Sequence, residues 1–202
     1  MQHLLIVCHP KRQSFTQTIA RAYAKELASL GQELVIRDLY RSHFDPALGE
    51  GELIGAEKPF VPAAVRREQR RLLDAGAIAF FYPLWWAYMP AMVKGYIDRV
   101  FSAGVAYDVR GEEMVPRLSG KKALIFTSSG ADMAYLRRSK QWRAMRTLEE
   151  DHILSLCGIE LLEHVHFASI TPDLTKQSVE KHLAAVRNAA QRHWGNAPAP
   201  QG

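Results

Sequence analysis

The stretch that most limits what this chain can fold into is FFYPLWWAYMPAMVKGYIDRVF, residues 80–101. It opens inside a short, continuous apolar run, Ile78 to Tyr82, of the kind buried on both faces in a parallel sheet. Pro83 has no N–H to give a ladder, so the strand is expected to stop there. Pro90 suits the first turn of a helix, and Val93, Ile97, Val100 and Phe101 then share one helical face. Leu84 to Met89 is thereby placed at the carboxyl end of a parallel strand, where open α/β sheets bind ligands. Two adjacent tryptophans, Trp85 and Trp86, cannot both enter one core from a single short turn. At least one is expected to line a cleft and to offer a wall to a planar ring.

The remaining chain repeats the strand-then-helix pattern. Residues 3–8 read as a buried first strand, followed by the loop His9 to Gln13 and a helix with Phe15, Ile19, Ala22, Tyr23, Leu27 and Leu30 on one face. Ser14 stands where it can cap that helix, whose start attracts an anion such as phosphate. No Gly-x-Gly-x-x-Gly is present, which excludes the common dinucleotide turn. Leu34 to Leu39 reads as the second strand and Pro62 to Asp74 as the second helix. The connection between them, Tyr40 to Pro62, is long enough to carry function or to pack across a partner. Val105 to Tyr107 is expected in a hairpin arm or an active-site loop. Lys122 to Phe126 reads as the fourth strand, running into Thr127-Ser128-Ser129-Gly130, where small side chains let backbone N–H groups approach a ligand. Arg143 to Cys157 reads as a helix closed by Gly158, Leu161 to Phe167 as the fifth strand, and Val179 to Trp194 as the last helix. The Gly/Pro/Ala-rich residues 195–202 are expected to lack order.

Five strands alternating with helices imply an α/β, three-layer sandwich over residues 1–194, with a five-stranded parallel sheet in the order 2-1-3-4-5. That order brings three loops, His9–Ser14, Pro83–Met89 and Thr127–Gly130, to one crevice. Length, 202 residues, and an apolar share of 48% suffice for one substantial core. No apolar run is long enough for a membrane span, and the start lacks the features of a secretory signal, so a cytoplasmic protein is expected. Cys8 and Cys157 lie far apart and read as free thiols. The net charge is +5, and Arg66, Arg67, Arg70 and Arg71 read as the solvated face of the second helix, opposite Val65, Leu72 and Leu73. No interleaved aromatic residues argue for nucleic acid. His164 and His166 share one face of the fifth strand, but no carboxylate or third histidine lies at compatible spacing. They read as structural residues away from the site, with no metal centre.

These motifs resemble the NAD(P)H:quinone oxidoreductases of the DT-diaphorase type, a flavodoxin-like family. The similarity runs from His3 to Trp194 and is carried by PLWWAYMPAMVKGYIDRVF (83–101) with Val105-Ala106-Tyr107, CHPKRQSFT (8–16), DLY (38–40), FDPAL (44–48), TSSG (127–130) and CG (157–158). The resemblance implies FAD or FMN, with phosphates at His9, Ser14, Phe15 and Thr16. It places the ring against Pro83, Leu84, Trp85, Trp86 and Ala87, and the ring's polar edge on Thr127, Ser128, Ser129 and Gly130, including backbone N–H groups from 128 to 130. Tyr135 matches a tyrosine beside the flavin and is the catalytic candidate; Tyr107, with Trp86, would enclose the substrate side, often across a homodimer interface. NAD(P)H would be the donor and a quinone the acceptor. Where one branch has a catalytic histidine six residues after that tyrosine, this chain has Gln141, so protons would come from Tyr135 or water. Two alternatives accompany this reading: a flavin-bearing regulatory subunit of a potassium-efflux transporter at the membrane, and a flavodoxin-type electron carrier.

Overall fold

Five parallel strands form the centre of the protein: β1 Gln2–Val7, β2 Glu33–Asp38, β3 Ala77–Pro83, β6 Lys122–Ser128 and β7 Glu160–Phe167. They lie in the order β2-β1-β3-β6-β7, the expected 2-1-3-4-5 once a separate hairpin, β4 Tyr107–Arg110 and β5 Glu113–Pro116, is set aside. The structure is a computed structural model, and it describes residues 1–195. The tail expected to lack order therefore lies outside the described residues beyond Gly195.

Helices cover both faces of the sheet because the central strands β1, β3 and β6 are buried and largely apolar on both sides. On one face, α1 Phe15–Ser29 and α6 Lys176–Trp194 pack Ile19, Tyr23, Val186 and Ala189 against Leu5, Phe81 and Phe126. Phe81 and Phe126 stack at 4.7 Å between ring centroids. The buried Trp194 indole donates to the Tyr23 hydroxyl at 2.7 Å, which satisfies a polar group that would otherwise penalise burial. On the other face, α2 Ala63–Asp74 and α3 Ala91–Val100 contribute Val65, Leu72, Val93, Tyr96 and Val100.

Several expectations need correction here. Leu73 does not join the core; it is exposed, and the inward positions of α2 are instead taken by Glu68 and Gln69. Glu68 can be buried because Arg37 and Arg71 pair with it at 2.7 and 2.8 Å. Part of the long connection 40–62, expected to carry function or to pack across a partner, is also fastened to α3 of its own chain. Arg99 in α3 donates to the Asp45 carbonyl at 2.6 Å and pairs with the buried Glu52 at 2.8 Å. Gly95 lets the Pro46 backbone lie directly on the helix, since a Cβ there would stand 2.2 Å from the Pro46 carbonyl oxygen.

The helix expected over 143–157 is present in two joined parts, with a short separate helix before it. Short helices α4 Met133–Arg138 and α5 Gln141–Arg146 lead into a π-helical segment, Thr147–Leu154. Its wider turn directs two consecutive acidic residues, Glu149 and Glu150, into the interior.

Candidate flavin-binding crevice

The carboxyl ends of β1, β3, β6 and β7 enclose a crevice of about 610 Å³, lined by His9, Lys11, Gln13, Ser14, Phe15, Thr16, Pro83, Leu84, Trp85, Ser128, Ser129, Gly130 and the segment Ile170–Pro172. That size falls within the usual range for a small-molecule site. A second hollow, of about 460 Å³, lies beside α2. It lies beside the outer strand β2 and shares no lining residue with the crevice, and its Arg37, Arg71 and Arg99 already pair with Glu68 and Glu52.

Each wall of the crevice has a local cause. Ser14 adopts extended backbone and its Oγ accepts from Gln17 N–H at 3.2 Å, so it caps α1 as expected. The N–H groups of Phe15 and Thr16, in the first turn, have no acceptor within the helix. The loop before them is held by Arg41, which donates to the carbonyls of His9 and Pro10 at 2.6 and 2.8 Å. His9 Nδ1 accepts from Lys11 N–H at 3.0 Å. Burial holds this imidazole below its ordinary range, so neutral His9 carries its hydrogen on Nε2.

On the opposite wall, Trp85 and Tyr88 close a tight turn through two backbone hydrogen bonds, Trp85 N–H to Tyr88 O at 2.9 Å and the reverse at 3.1 Å. Trp86 and Ala87 occupy its corners with φ of +54° and +58°. Left-handed backbone at two non-glycine residues is strained. The outcome separates the two tryptophans. Trp85 lines the crevice, whereas Trp86 projects wholly into solvent at 102% relative exposure and does not line it. Ala87 does not line it either, Tyr135 is half exposed on α4, and Tyr107 begins the hairpin, partly buried against the α3 side of the core.

The TSSG segment differs most from expectation. The ladder of β6 continues through Thr127 and Ser128, pairing them with β3 and β7. Ser128 O accepts Leu84 N–H at 2.7 Å, so the aromatic turn and the hydroxyl turn are joined. Ser129 N–H is not free for a ligand; it donates to Phe167 O at 3.0 Å, while Ser129 O accepts Ile170 N–H at 2.8 Å. Thr127 is fully buried, and its hydroxyl meets His164 Nε2 at 2.7 Å and His166 Nδ1 at 2.8 Å.

The two histidines are therefore not remote, and a carboxylate does reach them. His164 Nδ1 lies 2.7 Å from Glu150 Oε1, and His166 Nε2 lies 3.0 Å from Ser129 Oγ. Sequence spacing could not reveal the Glu150 contact because it depends on the π-helical turn; the alternation His164-Val165-His166 was the visible sign of a polar strand face. Burial pushes Glu150 up, but hydrogen bonds from His164 and Arg146, with the Arg146 charge, hold it below the usual carboxylate range. Burial lowers His164 despite Glu150, and lowers His166 to about 4 with help from His164. Both rings are neutral near pH 7, so the Glu150–His164 contact is a hydrogen bond between carboxylate and neutral imidazole. Among the described residues, no group of three potential ligands could hold a metal ion. The segment Ile170–Pro172 also escaped the sequence reading; its Thr-Pro after a strand was the available cue.

The model of the flavodoxin-like fold family matches residues 1–192. The chain is 33% identical over 171 residues to an uncharacterized NAD(P)H oxidoreductase of Haemophilus influenzae, covering 84% of this chain and 85% of that protein. It is 26% identical over 209 residues to ribosyldihydronicotinamide dehydrogenase (quinone) of Mus musculus, covering 94% and 89%. Among solved structures, an NAD(P)H:quinone oxidoreductase from Methanothermobacter marburgensis superposes with a TM-score of 0.81 at 27% identity, covering 96% of each chain.

Proposed function

The chain belongs to the flavodoxin-like fold family, and from that membership and its strand-end crevice we propose a flavin-dependent NAD(P)H dehydrogenase that passes two electrons to a quinone or similar planar acceptor. The observation that carries this is the juxtaposition of three features around one space: a capped helix start, an apolar wall at Pro83–Trp85, and the turn Ser128–Gly130.

These residues fit a flavin in chemistry as well as size. The unaccepted N–H groups of Phe15 and Thr16 would receive phosphate oxygens, and the neutral His9 could donate from Nε2. Leu84 and Trp85 would support one face of a planar ring and exclude water from it. Bound there, FMN or FAD supplies the two-electron exchange between nicotinamide and acceptor. The chain's own part is to orient the reactants and to hold a proton at the Tyr135 hydroxyl, which lies near the protein surface. Trp86 and the hairpin's Val109 and Met114 are exposed apolar groups, available to close the acceptor side together with Tyr107 in the homodimer that this reading includes. No helix among the described residues is long and apolar enough to cross a membrane.

The direct experiment is the absorption spectrum of the purified protein, reconstituted with FMN and with FAD, before and after adding NADH or NADPH. Retained flavin bleached by a nicotinamide and recovered by a quinone is the expected result. A protein that takes up neither flavin is not this enzyme.

A further inference from the structure

A line of hydrogen bonds runs under the crevice from Glu150 through His164, Thr127 and His166 to Ser129, with contacts of 2.7, 2.7, 2.8 and 3.0 Å. It lies between β6, β7 and the helical segment above them. Trp142 covers both imidazoles, with ring centroids 5.1 and 5.0 Å away. The charged or titratable groups around it are Arg146 on α5, paired with Glu150 at 2.8 Å, and Glu149 and Glu150 on the π-helical segment.

The hydrogens in this line can be placed by counting donors. The ionised Glu150 carboxylate only accepts, so His164 must carry its hydrogen on Nδ1. His164 Nε2 is then an acceptor, and the single Thr127 hydroxyl hydrogen is directed to it. With that hydrogen committed, Thr127 Oγ1 can only accept from His166, which must therefore be the Nδ1–H form as well. His166 Nε2 is left with a lone pair facing Ser129 Oγ. The Ser129 hydroxyl has two acceptors within reach, His166 Nε2 at 3.0 Å and Ala131 O at 2.8 Å. Ala131 O already accepts Ser169 N–H at 3.0 Å. Turning the hydroxyl toward Ala131 would set two lone pairs against each other at Nε2.

We propose that His166 is a positioning residue for the crevice: polarised from Glu150, it draws the Ser129 hydroxyl hydrogen inward and fixes the turn's hydrogen-bonding character. Since the backbone N–H and carbonyl of Ser129 are also occupied, this residue can offer a ligand only oxygen lone pairs. It would favour a ring that brings an N–H donor to that edge. This selectivity rests on the flavin reading above; the polarity of the hydrogen-bond line does not.

The test is nitrogen-15 NMR of histidine side chains in the flavin-free protein, where the two neutral tautomers give distinct spectra. Both His164 and His166 are expected as Nδ1–H. Finding His166 as Nε2–H overturns the proposal. In Thr127→Val, which keeps shape but removes the central hydroxyl, His166 is expected to change to Nε2–H and FMN affinity to fall about fivefold, the effect of one misdirected hydrogen bond. Thr127→Ser is expected to restore the original tautomers. A His166 tautomer unaffected by Thr127→Val, or unchanged FMN affinity despite a changed tautomer, overturns the positioning role. A wild-type protein that binds no flavin yet shows both Nδ1–H forms sinks the flavin reading and supports the line.

Discussion

Tyr82 donates its hydroxyl hydrogen to Glu149 Oε2 at 2.7 Å inside the core, while Glu149 Oε1 has no partner among the described residues. Burial raises this carboxyl from its ordinary 4.5 to about 7, with the Tyr82 bond opposing the rise and the Glu150 charge adding to it. Below pH 4.5 both folded and unfolded chains hold the proton. Between pH 4.5 and 7 the folded chain keeps a proton that the unfolded chain has lost, so stability must fall as pH rises. Across that window the loss is on the order of 3 kcal/mol. Glu149→Gln should flatten this part of the stability profile and leave the protein more stable at pH 8. Urea denaturation at pH 5 and pH 8 measures it; parallel profiles for the two proteins would refute the assignment.

Trp86 should be separable from folding. Its indole makes no buried contact, and its backbone is left-handed. Trp86→Gly relieves a conformation costing about 1–2 kcal/mol, partly offset by glycine's greater freedom when unfolded. Stability is expected to hold or rise by up to about 1 kcal/mol, while the Michaelis constant for the quinone rises. A lower melting temperature would show that the indole supports the fold.

Gly95 should tolerate no side chain. The Pro46 carbonyl stands where the alanine Cβ would go, so Gly95→Ala must push the 40–62 connection off α3 or bend the helix. A cost of about 3 kcal/mol or more is expected, from overpacking together with disturbance of the Arg99–Glu52 pair. Faster amide exchange over residues 44–53 would locate the damage; unchanged exchange there would contradict it.

Ser14 and Tyr135 are expected to divide binding from proton handling. Ser14→Ala removes the α1 cap, costing about 1 kcal/mol of stability, and should weaken FMN more than riboflavin, which lacks the phosphate. Equal losses for both ligands would move the phosphate elsewhere.

Tyr135→Phe should leave flavin affinity intact and slow its reduction by NAD(P)H by about tenfold or more. An unaltered reductive half-reaction, followed by stopped-flow absorption, would remove the hydroxyl from this role.

The architecture was readable because strand and helix periods, proline punctuation and the Ser14 cap are local signals, each held within a few residues. The convergence of loops was readable to the same extent: once the strand order is known, His9–Ser14, Pro83–Met89 and Thr127–Gly130 must meet, although Trp86, Ala87 and Thr127 then do not line the crevice. Three other features depend on tertiary geometry. Trp85 and Trp86 are chemically equivalent in the sequence, and only the left-handed corners at Trp86 and Ala87 decide which indole enters the site. Glu150 reaches His164 only because the helix widens between Thr147 and Leu154. The free N–H expected at Ser129 is taken by Phe167, a partner nearly forty positions away.

The bond from Leu84 N–H to Ser128 O carries the inter-strand ladder one step past Pro83. The indole-bearing corner and the serine-bearing corner are thereby tied to each other through the backbone. Reshaping the mouth for a bulkier acceptor by altering one corner alone will drag the other out of place, so the two corners must be redesigned together.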